Sequence, residues 1–386
     1  MDVGTLRELR LRVQGLRSPF DASAPEVVRR FVAVQAQEFL PAQWGLAARV
    51  PGDRRPDAAS TAAALDAGEI LRTHVLRPTW HFLHPADARW VLELSAERVH
   101  RANGTYYRRT GIEGADAARG LDLVAAALAG GHRTRADLVA ALDAGGMPSA
   151  GLAFAYVMML AELERVAISG ANVGKQRTYA AFDERVPSSP RKPRDEALAE
   201  LATRFIASRG PVTDRDFAAW SGFTLGDTRR AFADAADAAG GRIETAGVDG
   251  VEHWFDAASA DALEGGPDAS AGRDVVDLLQ AYDEYIMGYA APRAYLQPPG
   301  RADPVHPEFP LHALMVDGVM VGRWAPVVQA KGATLRLVPW REFSRAEERS
   351  LAASVAEVER FLGVGVTVER DVPDAAGAPG APDGIS

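Results

Sequence analysis

The chain has 386 residues, 47% of them hydrophobic and 25% charged, with a formal net charge of −9 and no cysteine. Those totals describe a globular protein with room for roughly two to four compact units. They exclude a disulfide framework, a thiol nucleophile and a cysteine-ligated metal, and the acidic total argues against a generic nucleic-acid binder. The charge is unevenly placed, however. Residues 1–110 hold 16 basic against 12 acidic side chains, and residues 226–286 hold 4 against 14. The start, "MDVGTLRELRLRVQGL", lacks the apolar core of a signal peptide, and no apolar run approaches the ~18 residues of a membrane span. A cytoplasmic protein is predicted. The eight histidines show no HExxH or paired spacing, so neither a metal nor a cofactor is expected.

In chain order, "TLRELRLRVQGL" predicts a first helix. A second begins at Ser23, which with Glu26 makes a capping box, and runs through Val27, Val28, Phe31, Val32 and Val34. Gln35 continues the apolar line of Val28 and Phe31, and Gln37 follows one residue later. Residues i and i+2 lie about 200° apart on a helix. Either the helix ends or distorts near Gln35, or one glutamine packs against the scaffold and positions the other. Pro41 and the loop-like "EFLPAQ" favour an ending close by. "DAASTAAALDAG" then predicts a helix and "EILRTHVLRPTWHFL" a hairpin. That hairpin either carries Arg72, His74 and Arg77 toward a phosphate or groove, or buries Thr79, Trp80 and Phe82 with its arginines in solvent. His81, between Trp80 and Phe82, reads as a core histidine.

The theme of helices followed by a hairpin then recurs. "LDLVAAALAGG", "TRADLVAALDAGG" and "SAGLAFAYVMMLAELER" are helices, and "VAISGANVGKQRTYAAFD" is hairpin-like. Lys175 and Arg177 sit on its wing, where a phosphate contact and a solvated hairpin are equally compatible. The clearest copy follows: "DEALAELATRFIAS", "GPVTDRDFAAWSG" with Thr213 and Asp216 as cap, "TLGDTRRAFADAA", and a hairpin around "VDG". Three short helices and a hairpin make a winged helix. Asp283, Glu284 and Tyr285 offer adjacent carboxylates, but neighbours on an extended segment face opposite ways. A capping or domain-docking role is therefore favoured over acid–base work. The last quarter has a hairpin at Asp317-Gly318, a strand "ATLRLVPW" and a helix capped by Ser344 and Glu347.

The predicted fold class is α+β, mostly helical: three tandem winged-helix units plus a small C-terminal α+β domain. The boundaries are 1–115, holding Gln35-Ala36-Gln37, then 116–190, 191–285 and 286–370. Residues 371–386 form a tail with nothing to bury, and 291–310, rich in Pro and Gly, reads as a long loop.

"LRLRVQGL", "QAQ", "RTHVLRPTWHFLHPADARWVL", "GPVTDRDFAAWSGF" and "AYDEYIMGY" occur in one order along roughly residues 5–365. That series resembles the winged-helix DNA glycosylases of the azinomycin-resistance type, whose signature is Gln–apolar–Gln. The resemblance implies a concave surface for duplex DNA and hydrolysis of the N-glycosidic bond of N7-alkylated guanine. Bulky adducts and, in some members, interstrand crosslinks are included, which would confer resistance to a genotoxic natural product. It implies a catalytic role for Gln35 and Gln37, with Gln37 placing the water, Gln35 orienting it or facing the sugar, and Glu38 as the rival base. Arg72, His74, Arg77, Lys175 and Arg177 are the expected DNA contacts, and Thr79, His81, Asp283, Glu284 and Tyr285 are supporting candidates. Two departures stand out. Alanine between the glutamines leaves more room, and the acidic stretch 226–286 falls in the third unit, against a phosphate role for its last helix.

Two amides suit that chemistry for a physical reason. Most glycosidases need a carboxylic acid to protonate the leaving group. N7-alkylguanine is already cationic and departs as a neutral base, so a water must be placed and an oxocarbenium-like sugar stabilised. A carboxamide is no strong base, but it accepts and donates hydrogen bonds and carries an orientable dipole. Bulky lesions are hard to extrude, so the resemblance implies a shallow site. The expected partner is double-stranded DNA carrying alkylated guanine, engaged by a monomer that is nucleoid-associated when bound. The alternatives are a non-catalytic winged-helix DNA binder, such as a transcription factor or damage recogniser, and a protein that sequesters the drug itself.

Overall fold

The structure, a computed structural model, describes residues 1–264, 274–297 and 310–371. The expected tail from residue 372 onward, and residues 298–309 of the expected loop, lie outside the described residues.

The chain folds as a mostly helical α+β protein in which three helix clusters each end in a small antiparallel sheet. In the first, helices Val3–Val13, Ala24–Phe31, Phe39–Ala47 and Ala58–Ala67 accompany strands Ala33–Gln35, Arg77–Leu83 and Leu71–Val75, which pair in that spatial order. The second holds helices Gly114–Leu128, Arg135–Ala144 and Gly151–Leu163, with a sheet formed by Arg133–Thr134, Thr178–Ala181 and Ala167–Ser169. The third holds Arg194–Arg209, Asp214–Ser221 and Leu225–Ala239, followed by the hairpin Ile243–Val248 and Val251–Asp256. Local chemistry starts these helices. Ser23 with Glu26, Thr134 with Asp137 and Thr213 with Asp216 each form a reciprocal capping box that satisfies otherwise orphaned backbone N–H groups. The 26-residue helix Pro85–Thr110, which leads from the first cluster into the second, had no counterpart in the sequence reading. Among the described residues no helix is long and apolar enough to cross a membrane.

The C-terminal sheet has five strands in the order Val366–Arg370, Gly332–Pro339, Val319–Gln329, Ala313–Val316 and Val276–Leu279. Its Asp317-Gly318 turn has φ of 48° and 74°, as a two-residue hairpin of this hand requires. The edge strand Val276–Leu279 corrects the expected boundary at residue 285. It pairs antiparallel with Ala313–Val316, Leu278 opposite Leu314, and so joins the C-terminal unit. Its partner is distant in sequence, where local pattern carries no information.

Pieces of sequence that are far apart converge on one buried polar network. Arg10 faces Asp216 at 3.6 Å, Arg49 faces Asp283 at 2.7 Å and Arg209 faces Glu284 at 2.7 Å. Gln14 donates to the Tyr289 hydroxyl at 2.8 Å and accepts from Arg49 at 3.1 Å. Three of the motifs that resembled the family, "LRLRVQGL", "GPVTDRDFAAWSGF" and "AYDEYIMGY", therefore contribute side chains to the same junction between the first cluster, the third cluster and the segment after Leu279.

Beside this junction lies an aromatic core. Phe217 packs against Phe205 at 5.1 Å and Phe232 at 5.5 Å between ring centroids, with Trp220 5.0 Å from Phe205. Phe217 is fully buried. Phe217→Ala should lower stability by about 3–5 kcal/mol in urea unfolding; a loss under about 1 kcal/mol would show that the cluster is not a cooperative part of the core.

Candidate active site

The helix Ala24–Phe31 does not run on to Gln35. It stops at Val32, whose φ of 66° and ψ of −56° are those of the rare positive-φ γ-turn. A β-branched residue is ill suited to that region, and such strain costs on the order of 1–3 kcal/mol. The compensation comes from the third cluster. Arg209 donates to the carbonyls on both sides of the turn, Phe31 O at 3.1 Å and Ala33 O at 3.0 Å. Beyond the turn, Ala33–Gln35 is a strand with Val34 opposite Phe82 and Gln35 opposite His81. Ala36 N–H donates to Trp80 O at 2.7 Å, which extends the pairing past Gln35. The helix thus ends before Gln35, as one of the two sequence readings had it, and the 200° relation between helical residues i and i+2 does not apply.

The loop expected at "EFLPAQ" is also corrected: Glu38 opens the helix Phe39–Ala47. Pro41 is tolerated because it lies in the first turn, where backbone N–H groups have no intrahelical partner to lose.

The two glutamines have different surroundings. Gln35 is 2% exposed. Its N–H donates to Glu284 Oε1 at 2.9 Å, and its side-chain oxygen accepts from Arg77 Nη2 at 2.9 Å. Gln37 is exposed, and its side-chain oxygen accepts from Trp80 N–H at 3.3 Å. Gln37 also lines a cavity of about 810 Å³ shared with Phe39, Arg72, Trp80, Arg177 and Tyr179.

Glu284 is the hub beneath this strand. Its Oε2 accepts from Arg209 Nε and Nη2 at 3.0 and 2.7 Å and from Trp220 Nε1 at 3.2 Å. Burial pushes the Arg209 guanidinium down, and Glu284 opposes that shift. Asp283 has separate work: it pairs with Arg49 and caps the turn of helix at Tyr285 N–H, 2.8 Å away. The two adjacent carboxylates therefore have different cationic partners. Tyr285 is buried, donates to Gly318 O at 3.1 Å, and is pushed up by its burial.

The expected DNA contacts divide. His74 is buried, with Nδ1 2.5 Å from Glu162 Oε2, and Arg77 turns inward to Gln35, where burial pushes its guanidinium down. Neither reaches outward as the hairpin reading had it, because each has a polar partner inside. Arg72 is buried but faces the cavity, while Lys175 and Arg177 are exposed on the second cluster's loop. Glu38, the rival base, faces His312 Nε2 at 2.9 Å.

His81 is wholly buried, its Nδ1 bonded to Thr79 O at 2.9 Å, and burial holds it well below its usual value. Among the described residues His81 Nε2, Thr79 Oγ1 and Arg77 Nε are buried without a protein partner, so this sheet retains hydrogen-bonding capacity close to Gln35. Sequence reasoning missed Arg209, which nothing in "FIASRGPV" marks. It also missed Phe39, Trp80 and Tyr179 as cavity walls, since aromatic residues in strands ordinarily signal core.

A family model described as DNA glycosylase AlkZ-like matches residues 28–361. The chain belongs to that family. It is a DNA glycosylase, and DNA is its partner. An interstrand DNA cross-link repair glycosylase of Streptomyces sahachiroi is 25% identical over 371 residues, covering 92% of this chain and 95% of that protein. The solved structure of Streptomyces sahachiroi DNA glycosylase AlkZ shares the fold, with a TM-score of 0.77, 23% identity, and coverage of 96% of this chain and 100% of that one.

Two outcomes follow for the glycosylase. Glu284→Gln leaves Arg209 buried without its counter-charge and should cost about 3–5 kcal/mol in urea unfolding; a change within 1 kcal/mol would deny it the bracing role. His81 stays neutral in the folded chain while the unfolded chain protonates near pH 6.5. The unfolded state then binds more protons, so stability is lost as pH falls below about 6.5. His81→Gln removes that titration, and its stability between about pH 7 and 5 should fall less steeply than wild type; parallel slopes would contradict the assignment.

Proposed function

We propose that this glycosylase hydrolyses the N-glycosidic bond of cationic N7-alkylguanine in duplex DNA, bulky adducts included, with Gln37 placing the attacking water. The observation that carries the reading is the unequal placement of the two amides. Gln37 presents an exposed carboxamide beside a cavity, while Gln35 is buried and fixed by Glu284 and Arg77. Gln35 acts as the orienting partner.

The substrate brings its own activation. Positive charge on the purine is discharged as the bond breaks, so no general acid is required of the protein. Water placement and stabilisation of the developing sugar cation remain, and a fixed carboxamide supplies both through an oxygen that accepts from water and points its dipole at positive charge. Asp283 and Glu284 serve as braces, since both are engaged by buried arginines. Arg72, Lys175 and Arg177 are the proposed phosphate contacts, with His74 and Arg77 supporting the sheet from inside. The Streptomyces sahachiroi relative is named for interstrand cross-link repair, and we extend that lesion class to this chain, acting as a monomer in resistance to a genotoxic natural product.

Single-turnover release of N7-methylguanine and of a bulkier N7 adduct from duplex oligonucleotides tests the reading. Gln37→Ala should slow release by about 100-fold or more with duplex binding intact, whereas Glu38→Gln should change it less than about tenfold. Undiminished release by Gln37→Ala, or a collapse confined to Glu38→Gln, would move the chemistry to the carboxylate. Tight duplex binding with no release of any cationic adduct would overturn the proposed substrate.

A further inference from the structure

The cavity beside Gln37 has a chemistry of its own. It lies between the first sheet and the second helix cluster, and no aspartate or glutamate lines it. Three arginines do: Arg72, Arg135 and Arg177. The Arg72 guanidinium lies 4.1 Å from the Trp80 ring centroid, that of Arg177 4.2 Å from Phe39, and that of Arg135 4.3 Å from Phe154. Stacking on an aromatic face fixes a guanidinium and leaves those edge N–H groups that no backbone carbonyl takes, the Nη1 group in Arg72, to bond an anion.

Among the described residues Arg72 has no carboxylate at ion-pair distance, and Arg177 none either. Glu162, the acid whose charge acts on Arg72, is engaged by His74 through both Nδ1 and the backbone N–H. Burial first, and the neighbouring Arg177 second, push Arg72 down to about 9. Two guanidiniums that repel one another in a partly enclosed space are relieved by an anion between them.

The occupant is narrowed by charge and shape. A cationic alkylguanine is repelled by three arginines, and Trp80 and Phe39 each already carry a guanidinium on one face. The anion that a DNA-bound enzyme always meets is the phosphodiester.

We propose that this cavity is a phosphate subsite: Arg72 and Arg177 grip one backbone phosphodiester of the DNA strand next to the nucleotide under attack. The proposal deepens the proposed function, and rests on its placement of Gln37 at the reacting nucleotide. Arg72 also donates from Nε to Ala36 O at 3.1 Å and from Nη2 to Gln37 O at 3.4 Å. The side chain that holds the phosphate thus also holds the backbone of the water-placing glutamine. Register on the strand and placement of the amide are set by one group.

The test reads binding, not excision. A duplex with a tetrahydrofuran abasic analogue carries one neutral methylphosphonate, moved in turn through the phosphates flanking the analogue, and dissociation constants are measured at fixed salt. Wild type should weaken about tenfold at one phosphate or two adjacent ones and little elsewhere. Arg177→Gln, on an exposed loop, should bind the all-phosphate duplex about threefold to fivefold more weakly and lose correspondingly less than wild type at that position, where Arg72 remains. Arg177→Lys should fall between. Losses by Arg177→Gln that add to the methylphosphonate effect at every position, or no position-dependent loss in wild type, would overturn the subsite. Because the analogue has no base to release, a lack of glycosylase activity would count against the proposed substrate and not against this subsite.

Discussion

The architecture depends on the buried pair of Arg209 and Glu284. One guanidinium closes a strained turn by donating to the carbonyls either side of Val32, and its partner carboxylate receives the N–H of Gln35. Without that pair the helix from Ala24 has no reason to stop where it does, since its apolar pattern continues to Val34. Desolvating two charges is costly unless the remaining hydrogen-bonding capacity is used. Here it is used: Glu284 takes further donors from Trp220 and the strand, and Arg209 spends its remaining N–H groups on backbone and Ser208. The specificity bought by this arrangement is geometric, because a polar hub tolerates few alternative packings.

That geometry bears on the chemistry. A carboxamide contributes to hydrolysis only through position, having no useful basicity. A site built on amides therefore needs a stiffer mounting than one built on a carboxylate that can draw on its charge. For the role proposed for Gln35 and Gln37, the mounting is a short strand paired to a hairpin, braced from behind by three buried ion pairs that join the first cluster, the third cluster and the segment around residue 283. The family motifs that lie outside "QAQ" are largely the parts of this brace: Gln14, Asp216, Asp283, Glu284 and Tyr289.

Much of the fold was legible because it is locally encoded. Capping boxes at Ser23, Thr134, Thr213 and Ser344 mark helix starts by side-chain hydrogen bonds three residues long, and Asp317-Gly318 marks its turn by the φ it must adopt. The site was legible only in part. Gln35 stood out as an amide on an apolar line, with an ending of the helix close by among the readings, but the break as early as Val32 and the strand beyond it were not legible because the force that breaks the helix comes from Arg209, 176 residues from Ala33. The edge strand at 276–279 was missed for the same reason, its partner being remote in sequence. Arg77 and His74 were expected to point outward; the residues that turn them inward, Gln35 and Glu162, are visible only once the sheets are in contact.

In the proposed mechanism the site relies on charge already present in the leaving base. Single-turnover release should therefore be compared for N7-methylguanine and for uncharged lesions, hypoxanthine and 8-oxoguanine, at one position of the same duplex. The cationic base should be released, and none of the neutral ones above the spontaneous rate. Comparable release of a neutral base would require a general acid, and would contradict a mechanism that rests on Gln37 alone at the reacting bond.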